Sequence, residues 1–226
     1  MSIRRTISES PGLRAGLSIG VAVGLYGISF GALATTAGLS PWQAIALSLL
    51  MFTGGSQFAF IGVLSGGGSP GAAVGAASLL GIRNAVYGIQ INALVQPPPR
   101  LKPLAAQVTI DESTATALGQ TSATEQRRGF WSAGLAVFIL WNVFTAVGAF
   151  AGQALGDPKQ WGLDGAAVAA FLGLLWPRLK KREPVAIAVV CAVVTAVAVP
   201  WLPAGVPILL AAVVSAGLGL WTGGDR

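Results

Sequence analysis

The sequence from residue 15 to residue 82 reads AGLSIGVAVGLYGISFGALATTAGLSPWQAIALSLLMFTGGSQFAFIGVLSGGGSPGAAVGAASLLGI, without one Asp, Glu, Lys or Arg. A helix that crosses the hydrocarbon core of a bilayer needs about 20 predominantly apolar residues, so this stretch is long enough for more than one crossing. Residues 129–156 and 184–224 are also free of charged side chains. These three stretches predict a polytopic membrane protein.

The composition agrees with this prediction. Of the 226 residues, 54% are hydrophobic and 10% are charged, whereas an average soluble domain carries roughly 25% charged residues. Lipid offers no hydrogen-bond partner to an open strand, so the apolar segments must be helices. The predicted fold class is all-α: a transmembrane helical bundle that forms a single integral membrane domain over residues 1–226.

The same composition excludes several kinds of chemistry. The chain has no His and one Cys, Cys191, which excludes His-dependent catalytic triads and intramolecular disulfides. The basic residues lie beside apolar segments, where they act as topology signals facing the lipid bilayer, and nucleic-acid binding is not expected. Residues 1–14 are not expected to form a cleaved signal peptide. No cofactor, metal site or enzymatic activity is predicted.

Pro, Gly and charged residues mark the ends of seven apolar segments, with Ser40-Pro41 and Ser69-Pro70 as helix starts. The predicted segments cover approximately residues 15–36, 42–64, 71–94, 130–155, 165–177, 184–200 and 205–221. Residues 95–128 form the long polar stretch between segments 3 and 4 and are predicted to be a loop.

The topology has two alternatives. If all seven segments cross, the positive-inside rule places the N-terminus outside, whereas a re-entrant segment 2 or 3 places both termini inside. Both alternatives predict that residues 95–128, residues 178–183 and the C-terminus are cytoplasmic. Similar motifs at residues 31–34 and 148–151 suggest inverted three-segment repeats, and chance similarity among small residues is the alternative explanation.

Residues 53–57, Thr-Gly-Gly-Ser-Gln, interrupt the apolar pattern of segment 2. Adjacent glycines weaken a helix, while Ser56 and Gln57 offer hydrogen bonds. One interpretation is a broken helix at Gly54–Gln57 whose freed backbone groups, with Gly55, Ser56 and Gln57, bind a small zwitterion. The other is a close crossing of two helices through small residues.

Arg83 is the one charged residue within the apolar part of segments 1 to 4, and Asn84 and Tyr87 lie close to it. A guanidinium inside a membrane needs a partner or a water-filled cavity. Arg83 therefore either binds a substrate carboxylate or pairs with an acidic side chain. Asp111 and Glu112 belong either to a plain loop or to a pair in which one carboxylate reaches Arg83 or carries a proton.

Several short motifs, taken in order, resemble the AzlC family of branched-chain amino acid permeases. They cover about residues 12–183 and include Gly24-Leu25-Tyr26-Gly27-Ile28-Ser29-Phe30-Gly31-Ala32-Leu33-Ala34, Phe52-Thr53-Gly54-Gly55-Ser56-Gln57-Phe58, Ile82-Arg83-Asn84-Ala85-Val86-Tyr87-Gly88, Thr109-Ile110-Asp111-Glu112-Ser113-Thr114-Ala115 and Trp176-Pro177-Arg178. Two positions depart from the family's pattern: Asn84 stands where the family has His, and Ile110 is inserted after Thr109.

The resemblance implies a permease of the inner membrane that exports branched-chain amino acids. Because an apolar pocket distinguishes side chains that differ by one methylene by only about 1–3 kcal/mol, Val, Leu and Ile are expected as overlapping substrates, with Met included. The resemblance also implies a small four-span partner of the AzlD type and use of the proton motive force. Within this hypothesis, Gly55, Ser56 and Gln57 line the site, Arg83 holds the carboxylate or neutralises Asp111 and Glu112, and Asn84 and Tyr87 lie next to Arg83. The alternative is a membrane scaffold or accessory subunit without a transport path.

Overall fold

A computed structural model describes residues 9–155, 160, 172, 175–176, 179–203 and 205–223. The predicted segment 165–177 therefore lies almost wholly outside the described residues. Within them, every regular element is a helix, which confirms the all-α fold class. The α-helices are α1 (Pro11–Gly24), α2 (Gly27–Thr36), α3 (Pro41–Leu50), α4 (Gly55–Ser65), α5 (Pro70–Val95), α6 (Lys102–Gln107), α7 (Asp111–Leu118), α8 (Ala123–Leu155), α9 (Arg182–Ala198) and α10 (Val206–Gly223).

Three helical stretches of the described residues are long and apolar enough to cross a membrane: Pro11–Thr36, which combines α1 and α2, Pro70–Val95 and Ala123–Gly152. Shorter apolar helices are Pro41–Leu50, Gly55–Ser65 and Val206–Trp221. Both predicted serine caps are present. The Ser40 hydroxyl accepts a hydrogen bond from the Gln43 amide at the start of α3, and the Ser69 hydroxyl accepts one from the Ala72 amide at the start of α5.

A row of glycines joins α1 and α2 to α8. The row has one glycine per turn and consists of Gly12, Gly16, Gly20, Gly24, Gly27 and Gly31. A Cβ atom on Gly20 would lie 2.5 Å from the Ala136 Cβ, and one on Gly24 would lie 2.5 Å from the Leu140 Cβ. Only hydrogen fits at these positions, so the two backbones approach as closely as small residues allow. The four-residue spacing is visible in the sequence, but the sequence does not identify α8 as its partner.

The glycine contacts also give the direction of each helix. Gly12 lies against Glu125 and Gly31 against Thr145, so α1 and α2 run parallel to α8. We call the end of the bundle where α1 and α8 begin the first end, and the end where α2 and α8 stop the second end. The long helix α5 runs the opposite way, because the carbonyl of Val95 near its C-terminus accepts a hydrogen bond from Arg127 near the start of α8.

These directions correct one prediction and favour one topology. Inverted three-segment repeats would make the first and fourth predicted segments antiparallel, but α1–α2 and α8 are parallel, so that repeat is wrong. Because α5 must start at the second end, residues 41–65 have to leave and return to that end. This agrees with the alternative in which segment 2 is re-entrant, while the total of six or seven spans stays a prediction.

Candidate functional site

The predicted break in segment 2 is present and forms a hairpin, which we call hairpin A (residues 41–65). Its first arm, α3, starts with Trp42 packed on Phe150 near the second end of α8, at a ring-centroid distance of 5.5 Å. The arm ends near Phe52, whose ring lies 5.0 Å from that of Phe138 at the middle of α8. The second arm, α4, then returns to the second end. Hairpin A therefore turns halfway along the bundle.

The turn itself lies at residues 51–54, slightly before the predicted Gly54–Gln57, because Gly55, Ser56 and Gln57 already form the first turn of α4. Gly54 has φ +58° and ψ −83°, a backbone conformation that a residue with a Cβ atom rarely adopts. A glycine at this position lets the chain reverse between two apolar helices. The break therefore follows from the local sequence, the adjacent glycines Gly54 and Gly55.

The structure gives Gln57 a role in the hairpin rather than in an open site. Its side chain is fully buried. Its Oε1 accepts a hydrogen bond from the Gly54 amide at 3.2 Å, and its Nε2 faces the Leu47 carbonyl at 3.5 Å. Gln57 therefore caps the Gly54 amide, which the break leaves without a helical partner, whereas the Leu47 carbonyl also accepts a hydrogen bond from the Met51 amide.

The stretch 95–128 differs from the plain loop that the sequence predicts. Its central part forms a second hairpin, hairpin B (residues 102–118), in which α6 and α7 enclose a buried tip at residues 108–110. Val108 packs against Gly134 of α8, whereas Thr116 packs against Gly129, so α7 returns towards the first end. Hairpin B enters the bundle from the end opposite to hairpin A.

Local hydrogen bonds explain why polar residues can form this buried tip. The Ser113 hydroxyl donates to the Val108 carbonyl at 2.7 Å and accepts from the Ile110 amide at 3.0 Å. The Thr109 hydroxyl donates to the Ala105 carbonyl at 2.6 Å. Each polar group finds its partner within a few residues, so burial leaves little polarity unsatisfied.

The tips of the two hairpins meet halfway along the bundle. Gln107 of hairpin B donates a hydrogen bond from Nε2 to the Leu49 carbonyl of hairpin A at 2.8 Å. Ile110 and Phe52, one from each tip, belong to the same buried cluster together with Trp141 of α8. Two structural elements that come from opposite ends thus share one contact region.

Arg83 reaches this contact region from the middle of α5. Its Nη1 lies 2.8 Å from Oδ2 of Asp111 at the start of α7, and its Nη2 donates a hydrogen bond to the Thr53 carbonyl at 3.4 Å. The side chains of Arg83 and Asp111 are 24% and 17% exposed. One guanidinium therefore connects α5 with both hairpins, and the acidic partner of Arg83 is Asp111.

Several buried polar atoms around this ion pair have no hydrogen-bond partner. They are Oγ1 of Thr53, Oγ of Ser56, Nε of Arg83, Oδ1 of Asn84 and Oγ1 of Thr114. Ser56 is 1% exposed and Thr114 is 3% exposed. Two further unpaired atoms, Nε1 of Trp141 and Oδ1 of Asn142, lie on α8. Unpaired buried polar atoms are costly, so the five that belong to Arg83 and to residues close in sequence to the ion pair or to Thr53 indicate a place where a polar ligand or water completes the hydrogen bonding.

The other predicted site residues lie at the edge of this region. Asn84 and Tyr87 are half-buried on α5, while Gly55 is buried at the start of α4. Glu112 is half-buried in α7, outside the three candidate spans. Desolvation raises the pKa of Glu112 and the Asp111 charge adds to the rise, whereas its backbone hydrogen bond and the Arg83 charge lower it. Glu112 is therefore the carboxyl that protonates more easily than an exposed glutamate.

A cavity of about 660 Å³ opens beside hairpin A. It is lined by residues at the end of α2 and by both arms of the hairpin, and it reaches Met51 at the turn. Two residues further along the chain, Thr53 holds Arg83 through its carbonyl. The cavity is open to the outside of the bundle, and none of Thr53, Arg83 and Asp111 lines it. No group of three or more metal-ligating side chains occurs among the described residues.

Two comparisons identify what this chain is similar to. A family model described as AzlC protein matches residues 18–155, which include both hairpins, Arg83 and Asp111. The chain is also similar to the inner membrane protein YgaZ of Escherichia coli strain K12, with 31% identity over 159 residues. That alignment covers 67% of this chain and 61% of YgaZ, so the chain spans about three fifths of the relative's length. No solved structure matches.

Proposed function

The chain belongs to the AzlC family, and from this premise we propose that it is a secondary transporter of the cytoplasmic membrane that exports branched-chain amino acids. The observation that carries the proposal is the Arg83–Asp111 ion pair, set among unpartnered polar atoms where two hairpins meet. Charged side chains at the centre of an apolar bundle are expensive and usually mark a substrate or ion path. The site requires no nucleophile or metal, so the proposal excludes an enzyme.

Val, Leu and Ile are the proposed substrates. Met is a further one, because an apolar pocket discriminates between side chains that differ by one methylene with only about 1–3 kcal/mol of binding free energy. The proposed path uses the cavity beside hairpin A from the second end and passes the ion pair. Gly55, Ser56 and Asn84 lie next to this path, and Tyr87 lies one turn after Arg83. Gln57 supports the path by holding the turn of hairpin A.

We also propose the family's small four-span AzlD-type subunit as partner and the proton motive force as the energy source. The exposed apolar side chains of α5, among them Ile82, Val86 and Ile89, provide a surface for lipid or for such a subunit. Glu112, whose pKa is raised by burial, is the proposed proton carrier. The first end is proposed to be cytoplasmic, and the basic residues near it, such as Arg100, Lys102 and Arg127, support this proposal.

An export assay tests the proposal. Cells that lack their own branched-chain amino acid exporter are loaded with a valine-containing dipeptide, and external valine is followed over time with the chain expressed alone and with a candidate partner. Faster efflux in the presence of the chain is expected. Arg83→Ala is expected to abolish it, while Arg128→Ala, which breaks the exposed ion pair with Glu125, leaves it unchanged at equal membrane abundance.

Efflux that does not respond to the chain or to Arg83→Ala, with both proteins present in the membrane, would contradict the transporter proposal. That result would favour the scaffold alternative, because a scaffold has to accumulate in the membrane but needs no transport path. Gln57→Ala does not separate the two functions cleanly, since Gln57 holds the hairpin itself.

A further inference from the structure

The Arg83–Asp111 pair has the charge pattern of an amino acid backbone, one fixed cation beside one fixed anion. It joins two separate elements, while the Arg128–Glu125 pair lies within a single turn of α8. It lies halfway along the bundle, where the hairpins from both ends meet. An ion pair at such depth gains little net stability, because desolvation of both charges offsets their attraction.

We propose that this ion pair is the receptor for the zwitterionic part of the substrate, a deepening that rests on the proposed function. The α-carboxylate of the substrate takes the place of Asp111 at the Arg83 guanidinium, and its α-ammonium takes the place of Arg83 at the Asp111 carboxylate. Every charge keeps an opposite charge throughout the exchange. The empty transporter, with its own pair closed, and the loaded transporter therefore both bury no unpaired charge.

The unpartnered atoms around the pair give this exchange additional hydrogen bonds. The Nε of Arg83 is a free donor in a guanidinium that already uses Nη1 and Nη2, and a carboxylate is well suited to accept from two guanidinium nitrogens at once. Thr114 lies one helical turn after Asp111, with its hydroxyl unpaired. Ser56 lies against Gly81, two residues before Arg83, also with its hydroxyl unpaired.

The exchange requires that a ligand carry both charges. An ion pair that only stabilises the fold would not impose this requirement. A 2-oxo acid would bring a carboxylate to Arg83 and leave Asp111 unpaired, and a simple amine would do the reverse. An unpaired buried charge weakens binding strongly, so we expect the 2-oxo acid and the amine to bind about 100-fold more weakly than valine.

Ligand-dependent thermal unfolding of the purified full chain tests this requirement. The three ligands are valine, 3-methyl-2-oxobutanoate and 2-methylpropylamine, which share the branched side chain and differ in their charges. Valine is expected to raise the unfolding temperature saturably, and the other two are expected to need about 100-fold higher concentrations. Equal stabilisation by valine and the 2-oxo acid would overturn the inference, and this comparison requires no variant.

Neutralisation of one partner gives a second, positive test. In Asp111→Asn, no internal carboxylate competes with the ligand for the Arg83 guanidinium, and no anion remains to pair with the ammonium of a ligand. The 2-oxo acid is therefore expected to bind as well as valine. In Arg83→Gln the amine is expected to bind better than the 2-oxo acid. Arg128→Gln removes the same charge from the exposed ion pair on α8 and is expected to keep the wild-type preference for valine.

The outcomes separate the two proposals. If valine is exported but Asp111→Asn keeps the wild-type preference for valine over the 2-oxo acid, the zwitterion receptor is wrong and the exporter stands. If valine neither binds nor is exported while another small zwitterion such as alanine stabilises the wild type with the same charge requirement, the branched-chain assignment is wrong and the receptor stands. If no zwitterion stabilises the wild type, the receptor is wrong.

Discussion

The glycine row between α1 and α8 allows a prediction whose size can be worked from the structure. In Gly20→Ala, the new Cβ would lie 2.5 Å from the Cβ of Ala136 and 3.3 Å from its carbonyl carbon. Nonbonded carbon atoms attract best at about 3.5–4.0 Å, so the helices must separate by about 1 to 1.5 Å. Neither atom can rotate away, because both belong to short, fixed groups.

Such overpacking typically costs about 1–3 kcal/mol. For a chain of this size, 1 kcal/mol corresponds to about 2–4 °C in the unfolding temperature, so Gly20→Ala is expected to lower that temperature by about 2–12 °C. The measurement is thermal unfolding of the purified protein in detergent. Gly88→Ala on α5 is the matched control, since a Cβ there meets no atom within 4 Å and alanine favours a helix over glycine.

The control is expected to leave the unfolding temperature unchanged or to raise it slightly. If Gly20→Ala is as stable as Gly88→Ala, then the close approach of α1 and α8 does not hold the bundle together. The argument about the glycine row would then be refuted, whatever the transport activity of the variant.

Two further predictions concern the hairpins. Gln57→Ala leaves the Gly54 amide without its partner, while the Leu47 carbonyl keeps its hydrogen bond from the Met51 amide. One backbone group left unsatisfied is expected to cost about 1–3 kcal/mol, measured as loss of membrane abundance and unfolding temperature. Gln43→Ala removes a similar cap at an exposed helix start and should cost far less; equal losses would contradict this role. Burial raises the pKa of Glu112 from its ordinary 4.5, so wild-type stability is expected to fall as pH rises through the raised pKa. Glu112→Gln removes the titration, and its unfolding temperature relative to wild type should therefore climb as the pH rises above 4.5 towards the raised pKa, while a pH-independent difference would contradict the assignment.

The features that the sequence predicted well depend on local chemistry. The Gly54-Gly55 pair predicts a break because glycine lowers helix propensity wherever it stands, and the serine-proline starts of α3 and α5 follow from capping that involves neighbouring residues. A lone guanidinium in an apolar stretch demands a partner, which predicts one for Arg83, and Asp111 is that partner. None of these arguments requires knowledge of the tertiary structure.

The features that the sequence missed depend on distant partners. The polar composition of residues 95–128 predicts a loop, because nothing local shows that Val108 packs on Gly134 or that Ile110 reaches Phe52. The sequence alone does not separate two roles for Gln57, because a side-chain amide can hydrogen-bond a substrate as well as it can cap a backbone group. The choice between Asp111 and a substrate as the partner of Arg83 likewise needed the path of hairpin B.

The pairing of α1 with α8 has a consequence for how the chain is made. The hydrogen bond from Ser10 to Glu125 joins residues 115 positions apart, so the glycine face of α1 is synthesised long before its partner. At about 5–20 residues per second, the gap is roughly 6 to 23 seconds. During that time, the glycine face of the nascent α1 is accessible to other membrane helices that carry small residues on one face. The order of synthesis therefore leaves the glycine face of the first helix without its partner until α8 has been made.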